Sequence, residues 1–288
     1  MTHTETLAGG IGSRNTDAID LQAWLERIHY RGSLEPSSES LAALVDRHMA
    51  AIPFEAIDVM LDRGVNLAPE AIDRKMLQGQ RGGYCFEHAS LMRRALRALG
   101  YTVEQQLGRV WVSHDLTGPA PSASHAMLKV LANEQWWLVD VGFGSFLSNE
   151  PLAWRLDEPQ ATAYGAFRLV RTLNGVMLET LYRDQWSPLY EILDFAWQAV
   201  DFEVANHYVA WHTESHFRHE LMVARTEGDV RRTLAGNRFK LAQPGGGSQE
   251  QWLDVEGMTA VLRDEFGLPV AAEWLPLLER IVADSREG

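Results

Sequence analysis

The chain has a single cysteine among 288 residues, so no intramolecular disulfide can form. A lone free thiol fits a reducing compartment, and the expected location is the cytoplasm. Basic residues are scarce. Lys and Arg number 26 against 39 Asp and Glu, a net charge of −13, and no run of sequence shows the basic face that nucleic-acid binding needs. No apolar run reaches the roughly 18–20 residues of a membrane span, so no membrane partner is expected. Residues 1–16 contain no apolar stretch like that of a secretory signal and read as a disordered leader. His207, His212, His216 and His219 cluster, but no HExxH pattern or second cysteine accompanies them. A packing or solvated role is expected for them, and no metal. GGGS at 245–248 reads as a flexible joint, since no Gly-Lys-Ser/Thr follows it to cradle a phosphate.

Apolar residues are plentiful enough for a sizeable core, and ten tryptophans offer broad aromatic surfaces. The first hundred residues read as helices. Asp17 can cap one carrying Leu21, Leu25 and Ile28, and Leu41, Leu44, Val45, His48 and Met49 recur at helical spacing in a second. Pro69 suits the first turn of a third, with Gly79 at its end, and a fourth runs from about Cys85 to Gly100. From Tyr101 the period changes to two. TVEQQLGRVWV, HAMLKVL, WWLVDVG, FRLVRT, VMLETLY and WSPLYEI read as strands, with Asn174-Gly175 as a hairpin signal. Such a succession suggests an antiparallel barrel or curled sheet. A helical stretch from Asp194 to His212 follows. Then come the strands ELMVAR, VRRTL and RFKLAQ, and two terminal helices, the first capped by Asp254 and ended by Gly267.

Cys85 follows Arg81-Gly82-Gly83-Tyr84 and opens an amphipathic helix. The unpaired N–H groups and positive dipole end of a helix start favour a thiolate there, and two glycines let the backbone turn sharply. The same position also suits a small buried hydrophobe. A nucleophilic thiolate needs a base, and the base needs an orienting group. His125 opens the strand HAMLKVL and Asp140 ends WWLVD. A four-residue loop at Leu131–Glu134 would pair His125 directly with Asp140. A two-residue loop at Asn133-Glu134 would pair Met127 with Asp140 and leave His125 a diagonal neighbour. Both registers put the two side chains on one face. Beyond Asp140, Val141-Gly142-Phe143-Gly144 permits a tight turn that presents Phe143, either as a barrel corner or as a pocket wall. Glu87 and His88 flank the nucleophile in the helix's first turn, where Glu87 suits the macrodipole or an ion pair better than catalysis.

RGGYCFE around Cys85, Ser124-His125 and VDVGFG over 139–144 resemble the arylamine N-acetyltransferases in order and spacing. Pro53-Phe54-Glu55 and Ser215-His216-Phe217 add weaker matches, and the resemblance runs over roughly residues 18–283. It implies an α+β fold of three parts: an N-terminal helical bundle over 17–100, a central antiparallel β-barrel over 101–205 and a C-terminal mixed α/β lid over 206–288, around a cysteine-protease-like triad of Cys85, His125 and Asp140. It further implies acetyl-coenzyme A as co-substrate and a small aromatic amine, hydrazine or N-hydroxyarylamine as acceptor. Phe54, Phe143 and Phe217 would wall the pocket, and Ser124 and Gly142 would neighbour the bound pantetheine. Ala89 departs from the family's usual Asn. An anionic donor also needs a local cationic patch in so acidic a chain. Arg231, Arg232, Arg238 and Lys240 form the densest one near the C-terminal lid, and Arg238 and Lys240 are the candidate phosphate anchors. The alternatives are a cysteine hydrolase or transglutaminase-like enzyme or an amide synthase with the same triad, or a catalytically silent binding module.

Overall fold

The computed structural model describes residues 18–287 except 145–146 and 244–246. The leader, the Asp17 cap and Gly245-Gly246 of the Gly-rich joint lie outside these residues. The chain begins with α1 (Leu21–Arg27), α2 (Ser38–Ala51), the two-residue β1 (Phe54–Glu55), α3 (Ile57–Met60) and α4 (Pro69–Ile72). A π-helical stretch, Asp73–Gln78, continues α4 and ends at Gly79, and α5 (Cys85–Ala98) follows. Eight strands come next: β2 (Thr102–Val110), β3 (Ala123–Ala132), β4 (Gln135–Val139), β5 (Leu152–Ala153), β6 (Gln160–Thr162), β7 (Gly165–Arg171), β8 (Gly175–Tyr182) and β9 (Gln185–Leu193). The remainder is α6 (Ala199–Trp211), a 3₁₀ turn at His216–Arg218, β10 (Met222–Glu227), β11 (Val230–Ala235), β12 (Arg238–Ala242), β13 (Ser248–Trp252), α7 (Val255–Asp264), a second 3₁₀ turn and α8 (Leu275–Glu287).

Asp20 caps α1, its carboxylate accepting the Ala23 N–H at 2.9 Å, and Ser37 caps α2. Leu41, Leu44, Val45, His48 and Met49 face inward from α2, as their spacing requires, and the apolar ones share one core with Phe86, Leu91, Met92, Ala95 and Leu96 of α5. Strands β2–β9 form one antiparallel sheet in the order β5-β4-β3-β2-β9-β8-β7-β6. It curls until its two edges meet. The Gln160 carboxamide on β6 donates to the Ala153 carbonyl at 2.8 Å and accepts the Ala153 N–H of β5 at 2.7 Å, which all but closes a barrel. The barrel is filled by Met127, Leu138, Phe167, Leu169, Leu178 and Tyr190 among others.

The hairpin expected at Asn174-Gly175 forms with a different loop. Gly175 belongs to β8, and Thr172, Leu173 and Asn174 make the turn, closed by Thr172 N–H to the Gly175 carbonyl at 3.0 Å. A second sheet, β1-β10-β11-β12-β13, is also antiparallel and packs α7 and α8 on one face. Asp254 caps α7, and Gly267 sits just beyond it at φ +68°. Strands β1, β5, β6 and β13 are short or polar and carry no periodic signal. Among the described residues no helix is long and apolar enough to cross a membrane.

Candidate active site

The hairpin joining β3 to β4 turns on Asn133 and Glu134, both at positive φ (48° and 59°), the two-residue type that matches strand twist. Ala132 therefore pairs with Gln135 and Leu128 with Val139. Continued by one step, this register sets Met127 opposite Asp140, and His125 reaches Asp140 diagonally. His125 Nε2 lies 2.6 Å from Asp140 Oδ2. The other carboxylate oxygen accepts the Gly142 N–H at 3.0 Å, which fixes the carboxylate's rotation.

Cys85 is the first residue of α5, and its Sγ donates to the Ser124 carbonyl at 3.8 Å. Its sulfur also lies close enough to the His125 ring to contribute to that ring's raised pKa. Since Asp140 occupies Nε2, the nitrogen left for the sulfur is Nδ1. Burial alone would push His125 toward its neutral form. The Asp140 carboxylate, by charge and hydrogen bond, and then the sulfur outweigh that and raise its pKa to about 10. The imidazole is therefore held protonated at neutral pH beside a sulfur at a helix N-terminus.

Two segments deliver Cys85. The Phe54-Glu55 strand bridges to Gly83, with the Glu55 N–H donating to the Gly83 carbonyl at 2.8 Å. Beneath it lies a buried charge cluster. Arg81 Nε donates to Glu55 at 2.9 Å, and its Nη2 forms ion pairs with Glu55 at 2.8 Å and Asp58 at 3.2 Å. Lys75 pairs with Asp58 at 2.8 Å and Glu87 at 2.9 Å. Glu87 also accepts the Tyr84 N–H at 3.0 Å, so it serves both the helix start and an ion pair. Desolvation raises the Glu87 pKa against the opposing pull of Lys75, and burial of Lys75 is overcome by its three carboxylates, which raise its pKa. Ala89 packs in the apolar core, and the helix start is held by Glu87 instead.

On the far side of the sulfur, the Val141–Gly144 turn lies against α5. A Cβ at Gly142 would stand 2.8 Å from Cys85 Cα and 3.2 Å from His88 Cβ, so only glycine allows this approach. Phe143 meets the His125 ring edge-on at 4.8 Å, and Tyr190 of β9 covers the same ring at 4.9 Å. The buried Tyr190 hydroxyl lies beside Asp140, near enough for burial and that charge to raise its pKa, without completing a standard hydrogen bond. Sequence reading does not single out Tyr190. It is one aromatic of a strand, and only the curl of the sheet brings β9 over His125. Phe54 stacks obliquely on Phe217 at 5.8 Å, and Gly144 lies next to Phe54.

The structure thus brings Cys85, His125, Asp140, Ser124, Gly142, Phe54, Phe143 and Phe217 together. It does not bring Arg238 and Lys240 there. Both lie on β12, two strands beyond β10, and pair with Glu250 of β13 at 3.5 and 3.0 Å. Arg231 donates to the Leu147 carbonyl and lies over the Tyr164 ring, and Arg232 pairs with Glu265 at 2.8 Å. Of the clustered histidines, His212 stacks on Tyr208, His216 faces Glu220 and His219 bonds the Thr213 carbonyl. A cleft of about 510 Å³ runs along α5 between Phe86, Arg93, Trp197 and Phe202, but it contains none of the triad residues. Volume alone does not mark this site; the convergence of a thiol, an imidazole and a carboxylate does.

Residues 37–275 match the family model described as N-acetyltransferase. An arylamine N-acetyltransferase of Mycobacterium tuberculosis is 35% identical over 88% of this chain and 91% of its own length. An arylamine N-acetyltransferase / N-hydroxyarylamine O-acetyltransferase of Salmonella typhimurium is 34% identical over 87% and 89%. The solved Mycobacterium marinum arylamine N-acetyltransferase in complex with CoA superposes with a TM-score of 0.86 at 34% identity, covering 92% of this chain and 99% of that one. With a family model over most of its length and relatives of this similarity at nearly full coverage, the chain belongs to the arylamine N-acetyltransferase family and is an acyltransferase.

Proposed function

We propose that the protein moves an acetyl group from acetyl-coenzyme A to a small aromatic amine, hydrazine or N-hydroxyarylamine in two half-reactions through a thioester on Cys85. The observation that carries this reading is the His125 imidazole, buried beside the Cys85 sulfur and bonded through Nε2 to Asp140 at 2.6 Å, partners that together raise its pKa against the pull of burial. In the first half-reaction the thiolate adds to the donor's thioester carbonyl. The N–H groups at the start of α5 are placed to stabilise the oxyanion. The tetrahedral adduct expels coenzyme A as a thiolate, which takes the proton of the His125 imidazolium. In the second, the amine adds to the acetyl-cysteine, neutral His125 accepts the amine's proton, and collapse restores the thiolate–imidazolium pair. Asp140 holds the imidazole and offsets its charge.

The walls favour an aromatic acceptor over water. Phe143 borders His125 directly, and Phe54, Phe217 and Tyr84 form an aromatic face across the Gly144 turn. Ser124 and Gly142 would border the donor's pantetheine, a role supported by their closeness to Cys85. Arg238 and Lys240 remain candidates for its phosphates, and a phosphate there would compete with Glu250.

The deciding experiment is intact mass after mixing with acetyl-coenzyme A and no acceptor. One added acetyl on Cys85, discharged by an arylamine, is expected. An unmodified chain, or an acetyl lost to water as fast as to amine, would overturn the reading.

A further inference from the structure

The molecule buries two imidazoles that this chemistry does not use. His48 of α2 and His88 of α5 are both wholly inaccessible. Trp24 Nε1 of α1 lies 3.2 Å from His48 Nδ1, His48 Nε2 lies 2.8 Å from His88 Nδ1, and His88 Nε2 lies 3.2 Å from the Pro53 carbonyl. An indole N–H can only donate and a carbonyl can only accept. The two ends therefore fix every proton between them. Trp24 donates to His48, His48 Nε2–H donates to His88, and His88 Nε2–H donates to Pro53. Both rings are neutral Nε2–H tautomers with every ring nitrogen in use.

The Pro53 carbonyl also accepts the Gly83 N–H at 3.3 Å. One oxygen thus ties the residue preceding Phe54 to the turn that delivers Cys85 and to the first turn of the helix that follows it. We propose that His48 and His88 are positioning residues, and that the ordered chain from Trp24 to the Pro53 carbonyl sets the Phe54 ring against Phe217 beside the Gly144 turn and so governs binding of the aromatic acceptor. This rests on the reading of Phe54 as a pocket wall.

The chain works only while both rings are neutral. A proton on His48 Nδ1 would face the Trp24 N–H, and one on His88 Nδ1 would face His48 Nε2–H. The surroundings resist protonation. Burial depresses His88 to about 4; Lys75 assists, while the Pro53 carbonyl, Glu55 and Asp140 oppose it. Burial, His88 and Arg27 hold His48 well below its ordinary value.

Two measurements on the full chain test this. In protein labelled with ¹⁵N-histidine, long-range proton–nitrogen correlation at neutral pH should show two buried rings, both neutral and both Nε2–H. A charged ring or an Nδ1–H tautomer at either position overturns the proposal. His88→Phe keeps the ring's bulk and removes both bonds. It should raise KM for an arylamine about tenfold while iodoacetamide alkylation of Cys85 stays within about twofold. His88→Gln, which can still donate to Pro53, should restore most of that KM. A His88→Phe protein with a lower melting temperature but an unchanged acceptor KM overturns the positioning role; if that variant fails to fold, the tautomer measurement decides. Failure of the acetyltransfer reading is distinguishable, because the parent would then form no acetyl-Cys85.

Discussion

Replacing Gly142 with alanine would put a methyl carbon 2.8 Å from Cys85 Cα and 3.4 Å from Cys85 Cβ. The first neighbour is backbone at a helix start and cannot rotate away. Ordinary contact begins near 3.4 Å, so the 141–144 turn must retreat from α5 by about 0.6 Å or more (3.4 less 2.8). That turn is tied to Asp140 through the Gly142 N–H, and Asp140 holds His125 at 2.6 Å. The displacement therefore falls on the base rather than on the core. A misplacement of about 1 Å costs on the order of a hundredfold in rate, so a loss of roughly ten- to a hundredfold in kcat/KM is expected, with only about 1–3 kcal/mol of stability. The control is Gly144→Ala. Its Cβ meets nothing closer than 4.0 Å, but φ is +92°, so its cost is backbone strain of about 1–2 kcal/mol. Steady-state rates and melting temperatures of both variants decide the matter. Gly142→Ala with activity within twofold of the parent, or a Gly144→Ala that loses as much rate as Gly142→Ala, would refute the reasoning.

Asp140→Asn should lower turnover by about ten-thousandfold while the protein still folds, as activity and melting curves measured together will show. The same variant tests the linkage at His125. A folded pKa of about 10 against an ordinary 6.5 gives stability that is complete below about 6.5 and lost as pH rises through about 10. The melting-temperature advantage of the parent over Asp140→Asn should therefore shrink between pH 7 and 10, and a constant difference would contradict the assignment. Lys75→Met leaves Glu87 and Glu55 buried without that cation and should cost about 3–5 kcal/mol in chemical denaturation. Charge-neutral replacements at Arg238 and Lys240 should raise KM for acetyl-coenzyme A and leave transfer from p-nitrophenyl acetate unchanged, if these residues hold phosphates. Equal effects on both donors would place the phosphates elsewhere.

The approach of His125 to Asp140 was legible because strand period and turn chemistry are local. Asn133-Glu134 can adopt positive φ, and once the two-residue turn is chosen the alternation of side chains brings His125 toward Asp140. The sequence allowed a four-residue turn equally well, and only the observed pairing of Ala132 with Gln135 selects between them. Helix faces were legible for the same reason, as at Leu41, Leu44 and Val45. Three kinds of feature were not. Tyr190 reaches His125 by sheet curvature, which no spacing records. The partners of Lys75 are spread from Glu55 to Glu87 and meet only when β1 docks. The pairing of Arg238 and Lys240 with Glu250 depends on β13, a strand of exposed polar residues with no alternating pattern.

Strand β1 carries a consequence for the order of assembly. Phe54 pairs with Ala224, 170 positions later in the chain (224 less 54). At about 5–20 residues per second, synthesis leaves roughly ten to thirty seconds between the two. Cys85, His125 and Asp140 have all been made for the last 84 of those positions (224 less 140), about 4–17 seconds, while Phe54 still lacks its β10 partner and has only its Gly83 neighbour. A nascent chain would thus carry the Cys85 sulfur before β1 has its full set of strand neighbours. In refolding followed by pulsed hydrogen exchange, the amides of β10 should gain protection after those of β3 and β4.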